Sequence, residues 1–434
     1  AGERVEVKGG GFMGAEWDAF VPGPRYWREV ARVLKPGGHA VVFAGQRTID
    51  VMGIALRLAG LEVRDLLGWQ YWSGFPKSLD VSKAIDRVDG RHMTTGALRC
   101  TAWMRATGIT ARQINEATGT FMASHYLTAK SQPAIPTPEH LDALRHLLPP
   151  VPDWFEDLAK ARSIGSENMK RRAVVETRRD VGKRLVDYVN SAPEGQTYDI
   201  TAAFTPDAKH WEGWGTALKP CIEPALLVRK PLSGTVAGNV LAHGTGALNI
   251  DGCRYAFGDP AWPGPQVTGG DWWPANVYAC PKASTAERER GCDGLPIWSA
   301  GELVQREEGS AGMDNPRAGA GRTSSGRRNA HPTVKPVRLL RWLVRLVTPP
   351  GGTVIDPFAG SGSCGVAATL EGVAYIGAEL GERYQPIAEA RIAHAVAHPE
   401  QWLDTRPGPK VTDDEQDRAD IEAAGQCDLF GGAA

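Results

Sequence analysis

The sequence has no surplus charge of either sign, no paired cysteines and no long apolar run, and each absence narrows what the chain does. Its 434 residues carry 49 Lys and Arg against 50 Asp and Glu, a formal net charge of −1. No global field draws in nucleic acid, so any nucleic-acid face has to be local. Seven cysteines (Cys100, Cys221, Cys253, Cys280, Cys292, Cys364 and Cys427) contain no C-x-x-C pair, and their number is odd. That argues against a zinc site or a disulfide framework and fits a reducing cytoplasm. No apolar stretch approaches the roughly 18 residues of a membrane span, and the first residues do not read as a signal peptide, so none is expected. The length suffices for two or three domains with a large core. Gly (51) and Pro (31) are above average, which predicts long loops.

Residues 1–90 read as α/β. "RYWREVARVLKPGG" (25–38) is an amphipathic helix with Trp27, Val30, Val33 and Leu34 on one face, stopped by Pro36-Gly37-Gly38. "HAVVFAG" (39–45) reads as a buried parallel strand, "TIDVMGIALRLAG" (48–60) as a helix and "LEVRDLLGWQYW" (61–72) as the next strand. Such alternation predicts a parallel sheet. Residues 91–200 read as a helical, locally basic insert. Within it "TARQINEATGTFMASHYLT" (110–128) resembles a helix-turn-helix. Residues 201–330 are rich in Gly, Pro and Trp and include a flexible-looking loop over 301–329. Residues 331–398 return to clean α/β, and 399–434 read as a disordered acidic tail.

"VIDPFAGSGSCGVAA" (354–368) places Gly360, Gly362 and Gly365 in a G-x-G-x-x-G pattern. A strand leads in, a helix closed by Gly372 leads out, and "VAYIGAEL" (373–380) is the next strand, ending at Glu379. This is a βαβ unit with an acid about twenty residues past the loop, the layout that fits a ribose hydroxyl pair. Charge then selects the nucleotide. A pyrophosphate wants backbone N–H groups and a helix N-terminus, and Asp356 beside it would repel. S-adenosylmethionine carries an ammonium and a sulfonium, which suit an acid at the strand end. After Asp356 only 78 residues remain, too few for the further strands of a dinucleotide fold. The sheet must then be completed by residues 1–90, a circularly permuted order.

At these residues the chain resembles a known family. "HPTVKP" (331–336), "VRLVTPPGGTVIDPFAGSG" and "YIGAEL" look like the cofactor end of the permuted amino-methyltransferases of bacterial and phage DNA, which methylate the exocyclic amine of adenine or cytosine. "FMGAEWDAFVPGPRYWREVARVLKPGGH", "SGFPKSLDVSKAID" and "GWGTALKPCIEPALLVRKPL" resemble the phage and prophage branch. The resemblance covers most of 9–86, 211–255 and 270–398. It implies a Rossmann-like, S-adenosylmethionine-dependent methyltransferase fold with a seven-stranded sheet, double-stranded DNA as partner, and room for a homodimer. Carried over by position, it implies that Asp356, Phe358, Gly360, Ser361 and Gly362 line the methionine and adenosine. Glu379 would meet the ribose, and Thr333, Lys335 and Pro336 would sit over the methionine end.

The family's catalytic motif, D/N/S-P-P-Y/F/W, is missing. It hydrogen-bonds the amine so that electron density shifts to nitrogen, and stacks an aromatic ring on the flipped-out base. It should fall just before "GFMG" (11–14), with the acid near Val5 and the aromatic near Lys8, where the chain reads "AGERVEVKGG". Two explanations fit: an upstream part lost before Ala1, or a complete protein with a degraded motif. Either predicts little methyl transfer by this chain alone. Glu16 and Asp18 lie nearby and read as surface acids at a helix start.

For the DNA target, Ser124, His125 and Tyr126 are expected to face a groove. The run "KRRAVVETRRDVGKR" (170–184), net +5, is expected to meet phosphates. The Gly- and Trp-rich region 233–330 is a second candidate. "GQCDLFGG" ends with Gln426, Asp428, Leu429 and Phe430, which resemble the peptide that docks bacterial proteins on the replication sliding clamp.

Overall fold

The computed structural model describes residues 4–6, 20–71, 78–87, 90–128, 133–179, 197–256, 259–262, 272–299 and 326–403. The chain divides into two compact units. One comprises Ala1–Tyr71, Ile222–Leu295 and Arg328–Ala434, and the other Trp72–Cys221 and Pro296–Arg327.

In the first unit β1 (Arg4–Glu6) pairs antiparallel with β2 (Phe20–Pro22), Val5 opposite Val21. α1 (Pro24–Val33) starts on a proline, which has no N–H to lose at that position, and buries Trp27. β3 (His39–Phe43), α2 (Ile49–Leu58) and β4 (Glu62–Gln70) follow. The chain then builds the second unit: α3 (Val81–Asp86), α4 (Gly90–Ala106), α5 (Ala111–Thr118), α6 (Ala123–Leu127), α7 (Pro138–Leu144), α8 (Asp153–Lys170), the antiparallel pair β5 (Val174–Arg179) and β6 (Thr197–Thr201), and α9 (Pro206–His210). It returns with β7 (Ile222–Arg229), α10 (Val236–His243), β8 (Val277–Ala279) and α11 (Thr285–Glu289). α12 (Val337–Val347), β9 (Thr353–Asp356), α13 (Ser363–Leu370), β10 (Ala374–Gly377) and α14 (Gln385–Ala397) complete the first unit.

The unit is α/β, and its main sheet is mixed, in the order β3-β7-β4-β8. β7 sits at the centre and runs antiparallel to both β3 and β4, while β8 is parallel to β4. The expectation of a parallel neighbour for β3 is therefore corrected. β3 and β4 share a direction, as the strand–helix–strand pattern requires, but β7 lies between them. Its residues from Pro224 to Arg229 are all buried. That apolar run takes the centre, where both faces are covered, and leaves β3, mostly half-buried, on the edge. Alternation along β7 feeds two cores. Ala225 and Leu227 join Leu67, Trp69 and α12 residues Leu339 and Leu343. Leu226 and Val228 join Val42, Met52, Leu56 and Trp27. Helices thus cover both faces of the sheet.

β9 and β10 form a separate parallel pair, Asp356 opposite Gly377. Val354 packs into the same core as Leu339 and Leu343. Among the described residues β3 pairs only with β7 and β9 only with β10, so each keeps one backbone edge without a strand partner. Ile355 and Ile376, adjacent on this pair, are 49% and 58% exposed. The implied continuous seven-stranded sheet is not formed among the described residues.

The second unit is largely helical around Cys100, Met104, Ile114, Tyr126, Leu144 and Phe155. α5 opens with a Thr110–Gln113 capping box and ends at Gly119, whose φ of 63° suits a residue without Cβ. The expected recognition segment is the five-residue α6. Ser124 is exposed, but Tyr126 is fully buried and its hydroxyl lies 2.7 Å from His140 Nδ1. Tyr126 is a core residue and cannot face a groove. The basic run also divides, Lys170 ending α8 and Val174 starting β5. Arg172 is buried in an ion pair with Asp86 and is removed from the phosphate candidates. Among the described residues no helix is long and apolar enough to cross a membrane. Glu16, Asp18, most of 301–329 and the tail residues Gln426, Asp428, Leu429 and Phe430 lie outside the described residues.

Candidate cofactor site

The glycine loop joins β9 to α13, and its three glycines answer to three different constraints. Gly360 has φ of 54°, and a Cβ there would meet His331 Nε2 at 2.7 Å. Gly362 has φ of 72°, and a Cβ would come within 2.7 Å of the Ala388 Cα on α14. Backbone cannot yield there. Gly365 permits helix and strand to close up, since a Cβ would collide with Ile392 and Tyr375. The protein's own packing thus demands the glycine pattern, and the evidence for a ligand has to come from the polar groups around the loop.

Those groups are acids in front and a cation behind. Asp356 ends β9 and accepts the Phe358 N–H at 3.0 Å. Burial pushes its carboxyl up, and the nearby Glu379 carboxylate pushes it further, against the Phe358 hydrogen bond. Glu379 accepts the Gly360 N–H at 2.7 Å and the Gly381 N–H at 2.8 Å. Two carboxylates therefore share one loop, which favours a cationic ligand group. Phe358 is 57% exposed, and its ring centroid lies 5.4 Å from that of Tyr26 on α1. Burial, with Asp356 adding to it, raises the Tyr26 phenol to about 12.

Behind the loop, Arg391 of α14 is fully buried and donates to the Ser361 carbonyl at 2.6 Å and to the Ser363 hydroxyl at 2.9 Å. Over the loop lies His331, its ring 4.7 Å from Tyr384 in an edge-on contact. Burial lowers its pKa to about 3, with Lys335, Arg288, Arg391 and Arg383 adding to the effect. The ring is therefore neutral, and its Nδ1 accepts the Thr333 N–H at 3.3 Å.

The structure gathers Asp356, Phe358, Gly360, Ser361, Gly362 and Glu379 around one loop, with Thr333 tied to it through His331. Lys335 is anchored elsewhere. Its ammonium lies 2.6 Å from Glu223 on β7 and 5.1 Å from the Phe43 ring centroid. Pro336 caps α12, whose first N–H, from Val337, goes to Glu287 at 2.7 Å. Sequence reasoning missed Tyr26, His331 and Arg391. His331 opens the "HPTVKP" segment and was within reach, whereas the other two lie far along the chain with no local mark.

S-adenosylmethionine is tested against this donor set by charge and space. Asp356 would suit its positive groups and Glu379 its ribose hydroxyls, the left-handed Gly360 and Gly362 carry no side chain at the loop's turn, and two serines backed by a cation stand at the helix start. The residues fit that ligand. The position expected for a catalytic acid does not fit its role, since Val5 lies in β1 opposite Val21.

A family model described as DNA methylase (N6_N4_Mtase) matches residues 266–390. The chain is similar to the type II methyltransferase M.Cfr9I of Citrobacter freundii, 36% identical over 91 residues, which are 21% of this chain and 30% of that protein. It is also similar to the type II methyltransferase M.HinfI of Haemophilus influenzae, 29% identical over 144 residues, 32% of this chain and 35% of the relative. The chain thus spans about a third of the length of the curated relatives it matches. Among solved structures, an M1.HpyAVI–SAM complex aligns with 85% of this chain and 81% of that one, at 12% identity and a TM-score of 0.33. The matched segment holds β9, the glycine loop, α13, β10 and Glu379, whereas Tyr26 and Arg391 of the candidate site lie outside it.

Proposed function

We propose that this chain is the S-adenosylmethionine-binding body of a permuted DNA amino-methyltransferase of the phage type, with weak or no methyl transfer of its own. The observation that carries the reading is the pair of acids, Asp356 and Glu379, sharing one glycine loop inside the DNA methylase segment. When bound, S-adenosylmethionine supplies a methyl group on a sulfonium. Asp356 would face its positive groups, Glu379 the ribose, and Phe358 with Tyr26 the adenine. Neutral His331 covers the loop without adding a charge.

Impairment is supported by two features. The catalytic motif is missing from the sequence, and among the described residues β9 and β3 each keep an edge without a strand partner. Calorimetry with S-adenosylmethionine and tritiated-methyl incorporation into mixed-sequence DNA test the reading together. Binding in the micromolar range with background incorporation is the expected result. Absence of binding rejects the cofactor assignment, and robust turnover rejects the impairment.

DNA contact is proposed for Arg171, Arg178 and Arg179, without Arg172. Replacing the three by Ala should flatten the salt dependence of DNA binding, and an unchanged slope would reject a phosphate role. Sliding-clamp docking is proposed for the tail peptide Gln426, Asp428, Leu429 and Phe430. A labelled 423–432 peptide should bind a bacterial clamp in fluorescence polarisation, and no binding at high micromolar concentration would dismiss it.

A further inference from the structure

The loop that follows α9 in the second unit holds two aromatic rings at the surface. Trp211 is 41% exposed and Trp214 61%, with Leu218 beyond them at 92%. The two indoles meet edge to face, centroids 5.2 Å apart at 81°. His210 stands against Trp211 in the same way, at 5.5 Å and 88°. A single exposed apolar side chain is ordinary, whereas a contiguous exposed cluster marks an interaction surface.

The cluster is braced from behind. The Val81 N–H donates to the Trp214 carbonyl at 3.1 Å, and the Leu79 N–H to the Thr216 hydroxyl at 3.0 Å. The N–H groups of Thr216 and Ala217 return to the Ser78 hydroxyl at 2.9 and 3.3 Å. Gly213, between the two tryptophans, turns the chain at φ of 81°. None of these bonds uses an indole, so the rings are presented on a loop already ordered, and binding has little left to order. The surrounding charge identifies the occupant. Lys209 precedes the rings and Lys219 follows them, both exposed and neither in an ion pair among the described residues. Glu212, the acid between them, is engaged by the Ala203 N–H at 2.8 Å. Ring faces with free cations on either side suit bases joined by phosphates better than an uncharged protein surface.

We propose that Trp214, backed by Trp211, is a stacking platform for an unstacked base of DNA, with Lys209 and Lys219 on the neighbouring phosphates. The inference rests on the DNA amino-methyltransferase reading above and adds a base contact to the phosphate contacts of the arginines. A base methylated on its exocyclic amine has to leave the helix. Its departure strips a stacking partner from the bases left behind, and an indole replaces that partner whatever the sequence.

The test is fluorescence polarisation on the full chain with two labelled DNA duplexes, one fully paired and one carrying a single unpaired base. Wild type should bind the second more tightly. Trp214→Ala should weaken that duplex by about tenfold, within the worth of one base–aromatic stack, and leave the paired duplex within about twofold. The salt dependence should stay as in wild type, because no charge is removed. The Lys209→Ala, Lys219→Ala double variant should do the reverse and flatten the salt dependence on both duplexes. No preference in wild type, equal loss or no loss on the two duplexes in Trp214→Ala, or an unchanged salt slope in the lysine variant overturns the proposal. If wild type binds neither duplex, the DNA reading itself is at fault, and this inference falls with it. Self-association in light scattering that Trp214→Ala abolishes would give the face to a second copy of this chain and overturn the proposal as well. Should Trp214→Ala melt below wild type, Trp214→Gln and Trp214→Phe replace it. Loss of the preference in Gln but not in Phe would then support the stacking role, and equal behaviour of the two would overturn it.

Discussion

Glu379 and Gly360, 19 residues apart, are joined across the face of the loop by a hydrogen bond of 2.7 Å from the glycine N–H to the carboxylate. The other carboxylate oxygen holds Gly381. A single side chain therefore fixes the loop that leaves β9 and the turn that leaves β10.

Glu379→Ala frees two N–H groups and should cost about 1–3 kcal/mol of stability, as for lost hydrogen bonds to a charged partner. Glu379→Gln keeps one acceptor oxygen and should cost less. Urea unfolding followed by tryptophan fluorescence reads both. A loss equal to that of an exposed surface substitution would show that the loop is held by its glycine packing alone.

Asp356 gives a prediction of opposite sign. Its carboxyl is held above the ordinary range by burial and by Glu379. A carboxyl with a raised folded pKa costs the folded state stability as pH rises from its unfolded value through its folded one. Asp356→Asn removes that cost, so the ligand-free variant should be at least as stable as wild type at pH 7 by thermal melting. The same change should weaken S-adenosylmethionine about tenfold or more, because the partner of its positive groups is gone. A destabilised variant with intact affinity would mark Asp356 as a structural residue.

How far the sequence foretells this site depends on how local each constraint is. The βαβ unit, its glycines and Glu379 form one short segment, and the structure brings them together. Arg391 lies beyond β10 in a stretch, "EARIAHAV", where nothing local marks an arginine that points inward. Its role arises from a contact with Ser361, 30 residues away. The pairing of β3 depends on β7, which follows it in the chain only after residues 72–221, the longer segment of the second unit. Local alternation could set the direction of β3 but not its neighbour. The helix-turn-helix reading failed at Tyr126 for a related reason. Helix, glycine, helix is equally the pattern of a hairpin that buries its second helix.

His331 carries a pH dependence. Burial and four surrounding cations lower its pKa to about 3. A histidine with a depressed folded pKa adds stability that is full above its unfolded value, near 6.5, and is lost as pH falls toward 3. His39 behaves alike, lowered to about 4 by burial, Arg229 and Arg64. Chemical unfolding between pH 7 and pH 5 should show wild type weakening, and His331→Gln should reduce the proton uptake on unfolding by about one. An unchanged slope in that variant would mean that His331 is already solvated.

The adjacent arginines Arg171 and Arg172 separate binding from folding. Arg171 is exposed. Arg172 is 5% exposed, pairs with Asp86, and donates to the Thr201 carbonyl at 3.0 Å and the Ser82 hydroxyl at 3.2 Å. Burial alone would raise the Asp86 carboxyl. The N–H groups of Phe204 and Thr205, the Thr205 hydroxyl and Arg172 outweigh it and hold the carboxyl below the ordinary range. Removing Arg172 leaves a buried carboxylate short of its counter-ion, which typically costs about 3–5 kcal/mol. Arg172→Ala should therefore unfold the second unit at lower temperature, read by helical circular dichroism, and any loss of DNA binding in it would follow from that unfolding. Arg171→Ala should melt as wild type does, so a flatter salt dependence in this variant reports a phosphate contact directly. If Arg172→Ala melted unchanged, the Asp86 pair would not hold α3 to the strand pair β5–β6, and Arg172 would return to the candidates for DNA.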